Sequence, residues 1–423
     1  MIGIVGGGLA GLSLASFLKG GCEVLEKNPE CGGLCRSLEE GGYTLDYGGA
    51  HILFSRDEQA LETLLKFVPD RVKTRRDSKI YFNGKHVKYP FENGLSDLPE
   101  KDNRECLDTF INNDFRGEVR NLKDWVYATF GRGIAEKYLI PYNEKIWNCP
   151  AEELSASWVD GRIPKPPAED IIKSSKGVAT EGYTHQLYYY YPKEGGIQTL
   201  IRGIEKDVES VRKGFEVIRI KKEEKWVVSN GREEKEYGEL VSTMPLFELA
   251  EAMELPGEVS KAISELRYNS LITILLGVDG EQGNNYTAVY IPDTGFLPHR
   301  ITFPKTMSPQ NAPDGHYSVM AEITFNEGDD ISKMGDGKLI RHASEGLDER
   351  KFLDKSKIAF SKVVRTKYAY VLNDLKYDEN TTLIRDYFSG IGLHLCGRFS
   401  EYKYLNMDHI IQGSQKLAGV LNG

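Results

Sequence analysis

Residues 2–11 of this chain have the sequence Ile2-Gly3-Ile4-Val5-Gly6-Gly7-Gly8-Leu9-Ala10-Gly11, and this stretch decides the fold. A short apolar run, typical of a buried strand, leads directly into the glycines, and an apolar helical pattern follows them. In such a strand–turn–helix unit, Gly6 allows the tight turn, Gly8 lets the backbone approach a pyrophosphate, and Gly11 lets the helix pack closely on the strand. The start of the helix adds unpaired N–H groups and the positive end of a dipole.

A second predicted strand completes the unit. It spans residues 22–25 and is followed by Glu26, which is in position to accept hydrogen bonds from the hydroxyl pair of a ribose. The complete unit predicts a bound dinucleotide. Because NAD and FAD both bind to such a unit, residues further along the chain must decide between them.

Length and charge narrow the range of functions. At 423 residues the chain is longer than one hydrophobic core usually supports, so two or three subdomains are expected. The net charge of −9 argues against a nucleic-acid partner, because phosphate backbones need a clustered basic face. No run approaches the ~20 apolar residues of a membrane span, and a first strand at Ile2 leaves no room for a signal peptide. A cytoplasmic protein is expected.

The six cysteines are scattered, which favours reduced structural thiols and predicts no metal site.

Two further glycine motifs distinguish between the cofactors. Residues 32–37 read Gly-Gly-Leu-Cys-Arg-Ser and residues 46–51 read Asp-Tyr-Gly-Gly-Ala-His. This order resembles the amine-oxidase and protoporphyrinogen-oxidase superfamily of flavoproteins, and so implies FAD. Residues 215–217 of this chain resemble a strand edge that lies at the adenine in that superfamily. Residues 395–398 resemble its C-terminal strand, whose arginine meets the pyrophosphate. The resemblance implies these cofactor-binding residues: Gly6, Gly8, Gly11, Glu26, Gly33, Leu34, Arg36, Gly49, His51, Val217, Arg398, Leu405 and Asn406.

Four segments outside the cofactor motifs together resemble the UDP-galactopyranose mutase family. The first, residues 87–94, is similar to a Tyr-Pro-Phe-Gln-Asn run of the eukaryotic mutases whose tyrosine and glutamine lie by the uracil. Tyr89 fits this pattern and Glu92 departs from it. A carboxylate accepts hydrogen bonds and donates one only when it is protonated, so the nucleobase preference stays open.

The second segment comprises residues 138–147 together with Arg162. In the family, an aromatic residue corresponding to Tyr138 stacks on uracil and an asparagine corresponding to Asn143 hydrogen-bonds it. A tryptophan matching Trp147 packs near the sugar, and an arginine matching Arg162 holds the diphosphate. The resemblance implies the same roles in this chain.

The third segment carries Tyr290 and Arg300, which are similar to a sugar-side tyrosine and a second diphosphate arginine of the family. Two guanidinium groups on one diphosphate make charge-assisted, often bidentate bonds that a lysine would not reproduce. The fourth segment, residues 397–408, resembles a bacterial mutase run in which Tyr404 would reach the phosphate; Asn406 agrees with the eukaryotic forms. Tyr370 matches another phosphate-binding tyrosine.

The predicted fold is α/β, with a discontinuous Rossmann-like FAD-binding domain, a helical domain and an antiparallel β-sheet domain. The FAD-binding domain is predicted from residues 1–75, 193–245 and 385–423. The helical substrate domain is predicted at 95–180, and the sheet substrate domain at 76–93 and 246–384. Helical periodicity in the second part and alternating strand patterns in the third support this division.

The resemblance implies an isomerase that interconverts UDP-galactopyranose and UDP-galactofuranose, with reduced flavin N5 as the nucleophile and no net redox change. The implied catalytic residues are His51, Arg162, Arg300, Tyr370 and Tyr404. The implied substrate-binding residues are Tyr89, Glu92, Tyr138, Asn143, Trp147, Tyr290 and Asn406.

Two alternatives stay open at this point. The FAD motifs alone also fit an FAD-dependent amine or protoporphyrinogen-type oxidase, or a non-catalytic flavoprotein that binds nucleotide sugars. Arg76 and Ser78 resemble positions near the nicotinamide nucleotide of eukaryotic mutases, which makes NAD(P)H the candidate reductant. The exact sugar and the oligomeric state are not determined by the sequence.

Overall fold

The computed structural model describes residues 1–160, 162–182 and 187–423. Its strands, in chain order, are β1 (Ile2–Val5), β2 (Cys22–Glu26), β3 (Ser37–Glu40), β4 (Tyr43–Asp46), β5 (Arg71–Arg75), β6 (Ser78–Phe82), β7 (Lys85–Lys88), β8 (Tyr188–Pro192), β9 (Val211–Lys213), β10 (Arg219–Lys222), β11 (Trp226–Ser229), β12 (Glu234–Tyr237), β13 (Glu239–Ser242), β14 (Arg267–Asp279), β15 (Ala288–Tyr290), β16 (Arg300–Thr302), β17 (His316–Phe325), β18 (Ile358–Leu372) and β19 (Leu393–Leu395).

The α-helices, in chain order, are α1 (Leu9–Phe17), α2 (Glu58–Lys66), α3 (Glu100–Ile111), α4 (Leu122–Ile134), α5 (Ile140–Trp147), α6 (Ala168–Ser175), α7 (Gln198–Glu205), α8 (Leu246–Ala252), α9 (Gly257–Glu265), α10 (Pro304–Met307), α11 (Asp336–Glu349), α12 (Tyr377–Gly390) and α13 (Met407–Leu421). A π-helical turn, Ala135–Leu139, joins α4 to α5.

The first sheet is parallel and positions the glycine-rich turn. Its strand order is β19-β13-β1-β2-β9, so β1 lies in the middle with a later strand on each side. The apolar residues of β1 are buried, and α1, α7 and α13 contribute Leu12, Leu200 and Ile411 to the same core as Ile4. Ligands of such sheets bind beyond the carboxyl ends of the strands, at the point where the strand order reverses. The turn after β1 lies at that point.

The second large sheet has seven strands. Its order is β18-β14-β17-β16-β15-β6-β7, and all its pairs are antiparallel except the parallel pair β15 and β6. Residues 269–278 of β14 are buried without alternation, because both faces of this central strand are covered. On one face Ile272 packs in a cluster with Leu339 and Ala343 of α11.

The third layer is helical. Leu122, Val126 and Phe130 of α4 share a core with Cys106 of α3 and Ile171 of α6. Tyr138, just before α5, and Trp147, its last residue, belong to the same cluster, so the helix that carries several predicted substrate ligands is anchored by apolar packing.

The predicted fold class is confirmed, since the chain combines a Rossmann-like parallel sheet with helices and a mainly antiparallel sheet. The division into three domains stays a prediction. One local prediction is wrong: residues 215–217 form no strand edge but an irregular connection between β9 and β10. Phe215 N donates to the backbone oxygen of Glu26 at 2.9 Å, which keeps this connection beside the end of β2. Among the described residues, no helix has the length and apolar character needed to cross a bilayer.

Candidate active site

The glycine-rich turn forms an open backbone cradle at the start of α1. Gly6 has φ +108°, a conformation that side chains rarely adopt. A Cβ on Gly11 would lie 2.0 Å from Gly6 O, so only glycine allows this contact between helix and turn. At Gly8 the nearest heavy atom to an added Cβ would be 3.9 Å away, and no side chain caps the helix there. The helix N-terminus is therefore accessible to the oxygens of a pyrophosphate.

Glu26 lies beside this cradle. One carboxylate oxygen accepts a hydrogen bond from Gly7 N at 2.8 Å, and the other accepts one from Asn28 N at 2.8 Å. These bonds hold the buried carboxylate at the end of β2. Val217 is nearly buried and belongs to the same apolar cluster as Leu25 of β2. This arrangement suits the adenosine half of a dinucleotide, although contact with a ribose stays a prediction.

The second glycine pair continues the cradle. Gly32 N donates to Gly7 O at 2.9 Å, and an added Cβ on Gly33 would lie 3.4 Å from the Cα of Gly8. The two glycine turns thus approach each other at backbone distance. The guanidinium of Arg36 lies 4.7 Å from the ring centre of Tyr47, in a cation–π contact.

A cavity of about 310 Å³ lies where the helices, the antiparallel sheet and the residues just after the second glycine pair meet. All the side chains predicted as catalytic or substrate-binding line it: His51, Tyr89, Glu92, Tyr138, Asn143, Trp147, Arg162, Tyr290, Arg300, Tyr370, Tyr404 and Asn406. Of the predicted cofactor residues, Leu34 and Arg398 also line the wall. The structure therefore brings together residues that are dispersed along the chain.

Arg162 and Arg398 flank Tyr404 at one end of the cavity. Arg162 donates to Asn406 Oδ1 at 2.9 Å and also to the backbone oxygen of Tyr404. Arg398 donates to Leu405 O at 2.6 Å. The two guanidinium groups lie 4.6 and 5.2 Å from the ring centre of Tyr404. Positive charge is therefore concentrated at this end.

Arg300 adds a third guanidinium, and a buried carboxylate holds it. Its Nε donates to Glu322 Oε1 at 2.9 Å and its Nη2 to Glu322 Oε2 at 2.5 Å. Glu322 is fully buried, whereas the Arg300 side chain keeps 21% of its surface exposed toward the cavity. The pKa of Arg300 is raised well above its ordinary value; burial acts against this shift, and the neighbouring Glu322 carboxylate causes it.

Aromatic rings complete the cationic end. Trp147 makes edge contacts with Tyr370 and Tyr404, with ring centres 6.0 and 5.6 Å apart. Burial raises the pKa of Tyr370 above its ordinary range, so its hydroxyl remains a hydrogen-bond donor at neutral pH.

A tyrosine cluster forms another part of the cavity wall, and Arg300 borders it through its strand pairing with Tyr290. Tyr89 and Tyr290 stack with ring centres 4.6 Å apart, and Tyr138 and Tyr142 stack at 5.3 Å. Flat apolar walls of this kind suit an aromatic ring such as a nucleobase.

Glu92 lies next to this cluster and is only 1% exposed. Neither of its carboxylate oxygens has a hydrogen-bond partner in the part of the chain that the structure describes. Burial raises the pKa of Glu92 to about 7, so a large fraction of this side chain is neutral near physiological pH.

Asn143 lines the cavity but directs hydrogen bonds along its own helix. Its Nδ2 donates to Leu139 O at 2.7 Å and its Oδ1 accepts from Trp147 Nε1 at 3.1 Å. In this structure the amide therefore orients the Trp147 indole, and its predicted bond to a base stays a prediction.

His51 is neutral in this environment. Burial, together with the charges of Arg398 and Arg300, lowers the pKa of His51 to about 4. Its Nδ1 lies 2.7 Å from Gly49 O. Because a carbonyl only accepts, Nδ1 carries the hydrogen and Nε2 is left as an acceptor.

Three residues of this site were not expected from the sequence: Glu322, Tyr142 and Trp158. Tyr142 and Trp158 line the cavity, and Glu322 holds Arg300. The sequence could have indicated Glu322, because it is the one carboxylate within the mainly apolar stretch 317–325. A buried carboxylate needs a charged partner or hydrogen bonds.

Comparison with known proteins agrees with this geometry. Residues 4–68 match the family of NAD(P)-binding Rossmann-like domains. The whole structure is similar to that of reduced UDP-galactopyranose mutase, with 25% identity, 99% of this chain and 93% of that chain covered, and a TM-score of 0.91. The predicted resemblance is therefore confirmed along nearly the full length of the chain.

Oxidases share the fold as well. One is a structure provisionally assigned as a protoporphyrinogen oxidase from Exiguobacterium sp., with 15% identity, coverage of 100% and 98%, and a TM-score of 0.78. Another is putrescine oxidase bound to putrescine, with 15% identity, coverage of 99% and 98%, and a TM-score of 0.70. At this identity the likeness shows the fold alone. Together, the comparisons support a dinucleotide-binding enzyme of this flavoprotein superfamily.

Proposed function

We propose that this chain is an FAD-dependent mutase that interconverts UDP-galactopyranose and UDP-galactofuranose. The observation that carries the proposal is the combination of guanidinium groups and tyrosine rings in one cavity. Arg162 and Arg398 lie against Tyr404. Arg300 also lines the cavity and lies beside Tyr290 of the tyrosine cluster, with which it pairs in the strand register. A nucleotide sugar has matching groups, an aromatic base and an anionic diphosphate.

The cradle fits FAD. Gly6, Gly8 and Gly11 would hold the pyrophosphate at the start of α1, with Glu26 and Val217 on the adenosine side. The open space at Gly8 and its close approach to Gly33 support this assignment, since side chains there would fill the cradle. The flavin side would contact the remaining residues: Leu34, Arg36, Gly49, His51, Arg398, Leu405 and Asn406. When bound and reduced, FAD supplies a nucleophilic nitrogen.

The arginines would stabilise the departing diphosphate. Breaking the bond between the anomeric carbon and UDP moves negative charge onto the diphosphate, and guanidinium groups fixed in advance stabilise that charge most effectively. Arg300 is held by Glu322, and Arg162 is held by Asn406 and the backbone at Tyr404. The chain thus prepares two cations in fixed positions before substrate arrives.

Neutral donors would complete the anion site. Tyr370 keeps its proton because burial raises its pKa, and Tyr404 lies within the same ring cluster. Hydroxyl donors add hydrogen bonds to phosphate oxygens without adding charge. His51, neutral and with Nε2 free to accept, would position a hydroxyl or the cofactor.

The tyrosine cluster would bind the uracil. Tyr89, Tyr138 and Tyr290 offer ring faces or edges, and Trp147, in edge contact with Tyr404, would pack near the sugar. Protonated Glu92 presents one O–H donor and one C=O acceptor, as a glutamine amide does. Such a pair complements the adjacent N3–H and carbonyl of uracil.

An oxidase is the second candidate, because oxidases share the fold. An amine substrate would enter this cavity as a cation, and three guanidinium groups would repel it. The charge of the cavity therefore favours an anionic substrate over an amine. Arg76, which also lines the wall, supports NAD(P)H as the reductant, since its guanidinium suits a phosphate.

Product analysis tests the proposal. The holoenzyme is reduced with dithionite under anaerobic conditions and incubated with UDP-galactofuranose, and nucleotide sugars are separated by chromatography. The expected product is UDP-galactopyranose. Amine oxidation with peroxide release, and no conversion of the furanose, would overturn the proposal in favour of an oxidase.

A further inference from the structure

Lys145 of α5 lies outside the cavity and ends in a ring of backbone oxygens. Its Nζ lies 2.9 Å from Ile291 O, 2.6 Å from Asp293 O, 2.6 Å from Phe296 O and 2.9 Å from Pro298 O. An ammonium has three N–H donors, so four acceptors occupy all of them. This side chain therefore serves the loop 291–299 and no ligand.

The loop 291–299 joins two residues of the cavity. Tyr290 ends β15 and Arg300 begins β16, and the two residues pair directly in the strand register. Ile291 N donates to His299 O at 2.8 Å, which closes the base of the loop. Whatever fixes the loop therefore fixes the position of both residues.

The converging carbonyls need a cation at this place. A buried carbonyl without a hydrogen-bond donor is destabilising, and four carbonyl oxygens gathered around one point also repel one another electrostatically. Burial lowers the pKa of Lys145 to about 7; the charge of Asp293 acts against this shift, and the charge of Arg350 adds to it while Arg350 binds the Asp293 carboxylate at 2.5 Å. Carbonyl oxygens only accept hydrogen bonds, so four of them around the amine favour its protonated form. Without Lys145 the loop would be expected to open or to admit water.

The same residue is attached to the sheet through its backbone. Thr324 Oγ1 of β17 donates to Lys145 O at 3.0 Å, two residues beyond Glu322, which holds Arg300. Across this junction Tyr142 of α5 meets Tyr290 edge-on at 5.7 Å. The helix α5 and the sheet thus meet at Lys145, close to Tyr142 and Tyr290, which line the cavity.

We infer that Lys145 is a positioning residue for UDP binding: its ammonium joins α5 to the loop 291–299 and thereby sets the places of Tyr290 and Arg300. The inference rests on the proposed function, because it concerns the affinity for a uridine nucleotide. It assigns Lys145 no contact with substrate or cofactor.

A double-mutant cycle tests this inference in the holoenzyme, with UDP as the probe and titration calorimetry as the measurement. Lys145→Met retains most of the apolar stem and removes the ammonium. We expect it to weaken UDP binding by about tenfold or more. In an Arg300→Ala background the same change should weaken binding by about twofold or less, because the residue through which Lys145 acts is gone.

The matched control is Lys137→Met. Lys137 lies about two turns earlier on the same helical segment, and its partly buried ammonium pairs with Asp102 and Glu105 at 3.0 Å each. Its loss removes a lysine of similar exposure without touching the loop, and UDP affinity should stay unchanged. If Lys145→Met does not fold, Lys145→Gln, which keeps two N–H donors, takes its place with a smaller expected loss.

The outcomes separate the inference from the proposed function. Absence of UDP binding by the parent protein would overturn the proposed function. Binding by the parent with equal affinity in the Lys145 variant would overturn the inference alone. An equal loss in the parent and Arg300→Ala backgrounds would also overturn it, because the effect would then be general and not transmitted through Arg300.

Discussion

The guanidinium of Arg300 and the carboxylate of Glu322 form a two-point ion pair, with distances of 2.9 Å and 2.5 Å, at the wall of the cavity. Glu322 is fully buried, so the pair fixes Arg300 from the protein side and leaves its cavity side free to bind an anion. The pair thus lets a core strand, β17, hold the guanidinium that is proposed to bind the diphosphate.

Glu322→Gln should lower the free energy of unfolding by about 3 kcal/mol, because removal of one partner leaves a largely buried charge uncompensated. Turnover should fall at least about tenfold, since the guanidinium loses its two-point support. Thermal unfolding and furanose conversion measure the two effects. Glu327→Gln, on an exposed carboxylate just past the same strand, is the control.

The double variant Glu322→Gln with Arg300→Met tests whether the uncompensated charge of Arg300 causes the loss of stability. Replacing both partners of a buried pair is often neutral, so the double variant should be more stable than Glu322→Gln alone. Lower stability of the double variant would contradict the assigned role of the pair.

Gly8→Ala tests the cofactor cradle. The protein itself has room for the added methyl group, whose nearest neighbour would be 3.9 Å away, and Gly8 already has an ordinary φ of −78°. We therefore expect nearly unchanged apoprotein stability and a loss of most bound FAD, because the methyl group would occupy the place of the pyrophosphate. Flavin released by heat, identified as FAD and not FMN, gives the measurement.

Gly20→Ala is the matched control for the cradle, since no atom lies within 4 Å of an added Cβ there. Its FAD content should equal that of the parent. Full FAD content in Gly8→Ala would show that the dinucleotide lies elsewhere.

Those parts of the site that belong to short sequence motifs could be predicted from the sequence. The turn at residues 6–11 and the arginine at position 162 belong to motifs with fixed spacing, and the cavity includes each predicted catalytic and substrate-binding side chain. The pairing of Arg300 with Glu322 depends on the register of β16 and β17, which spacing along the chain does not encode. The carbonyl ring around Lys145 joins segments about 150 positions apart, for the same reason.

The hydrogen bonds of Asn143 could have been predicted from the sequence but were not. Its hydrogen bonds to Leu139 and Trp147 both span four residues along one helix, so they were foreseeable from helical geometry. The resemblance drew attention to a ligand role instead. Residues 215–217 likewise match a family strand edge, but the chain runs there without a strand partner of its own.

Glu92→Gln tests the buried acid through pH. Burial raises the pKa of Glu92 to about 7 from an ordinary 4.5, so the native state binds more protons than the unfolded state between these values. The parent should therefore lose up to roughly 3 kcal/mol of stability as pH rises from about 4.5 to about 7, through this group alone. The glutamine variant lacks this loss.

Thermal midpoints of parent and variant at pH 5 and pH 8 give the comparison. The advantage of Glu92→Gln should grow with pH, and the difference cancels the titration of Asp46, whose pKa is also raised by burial, to about 6. The ratio of UDP affinity in the parent to that in the variant should fall over the same interval. The terminal phosphate of UDP also titrates there, equally for both proteins, and cancels in the ratio. A constant difference between the two proteins would contradict a neutral Glu92.

The final prediction concerns the electron balance, which separates a mutase from every oxidase. Ring contraction of a pyranose to a furanose moves no electrons out of the sugar, so a reducing equivalent supplied once is not consumed. We expect activity only after reduction of the cofactor, and then many product molecules per reducing equivalent under anaerobic conditions, because only the reduced cofactor offers a nucleophile. An oxidase transfers electrons from each substrate molecule and consumes oxygen in proportion. Product formed from UDP-galactofuranose is measured against the dithionite added, with an oxygen electrode in a parallel aerobic run. A ratio near one, or full activity before reduction, would rule out the proposed chemistry.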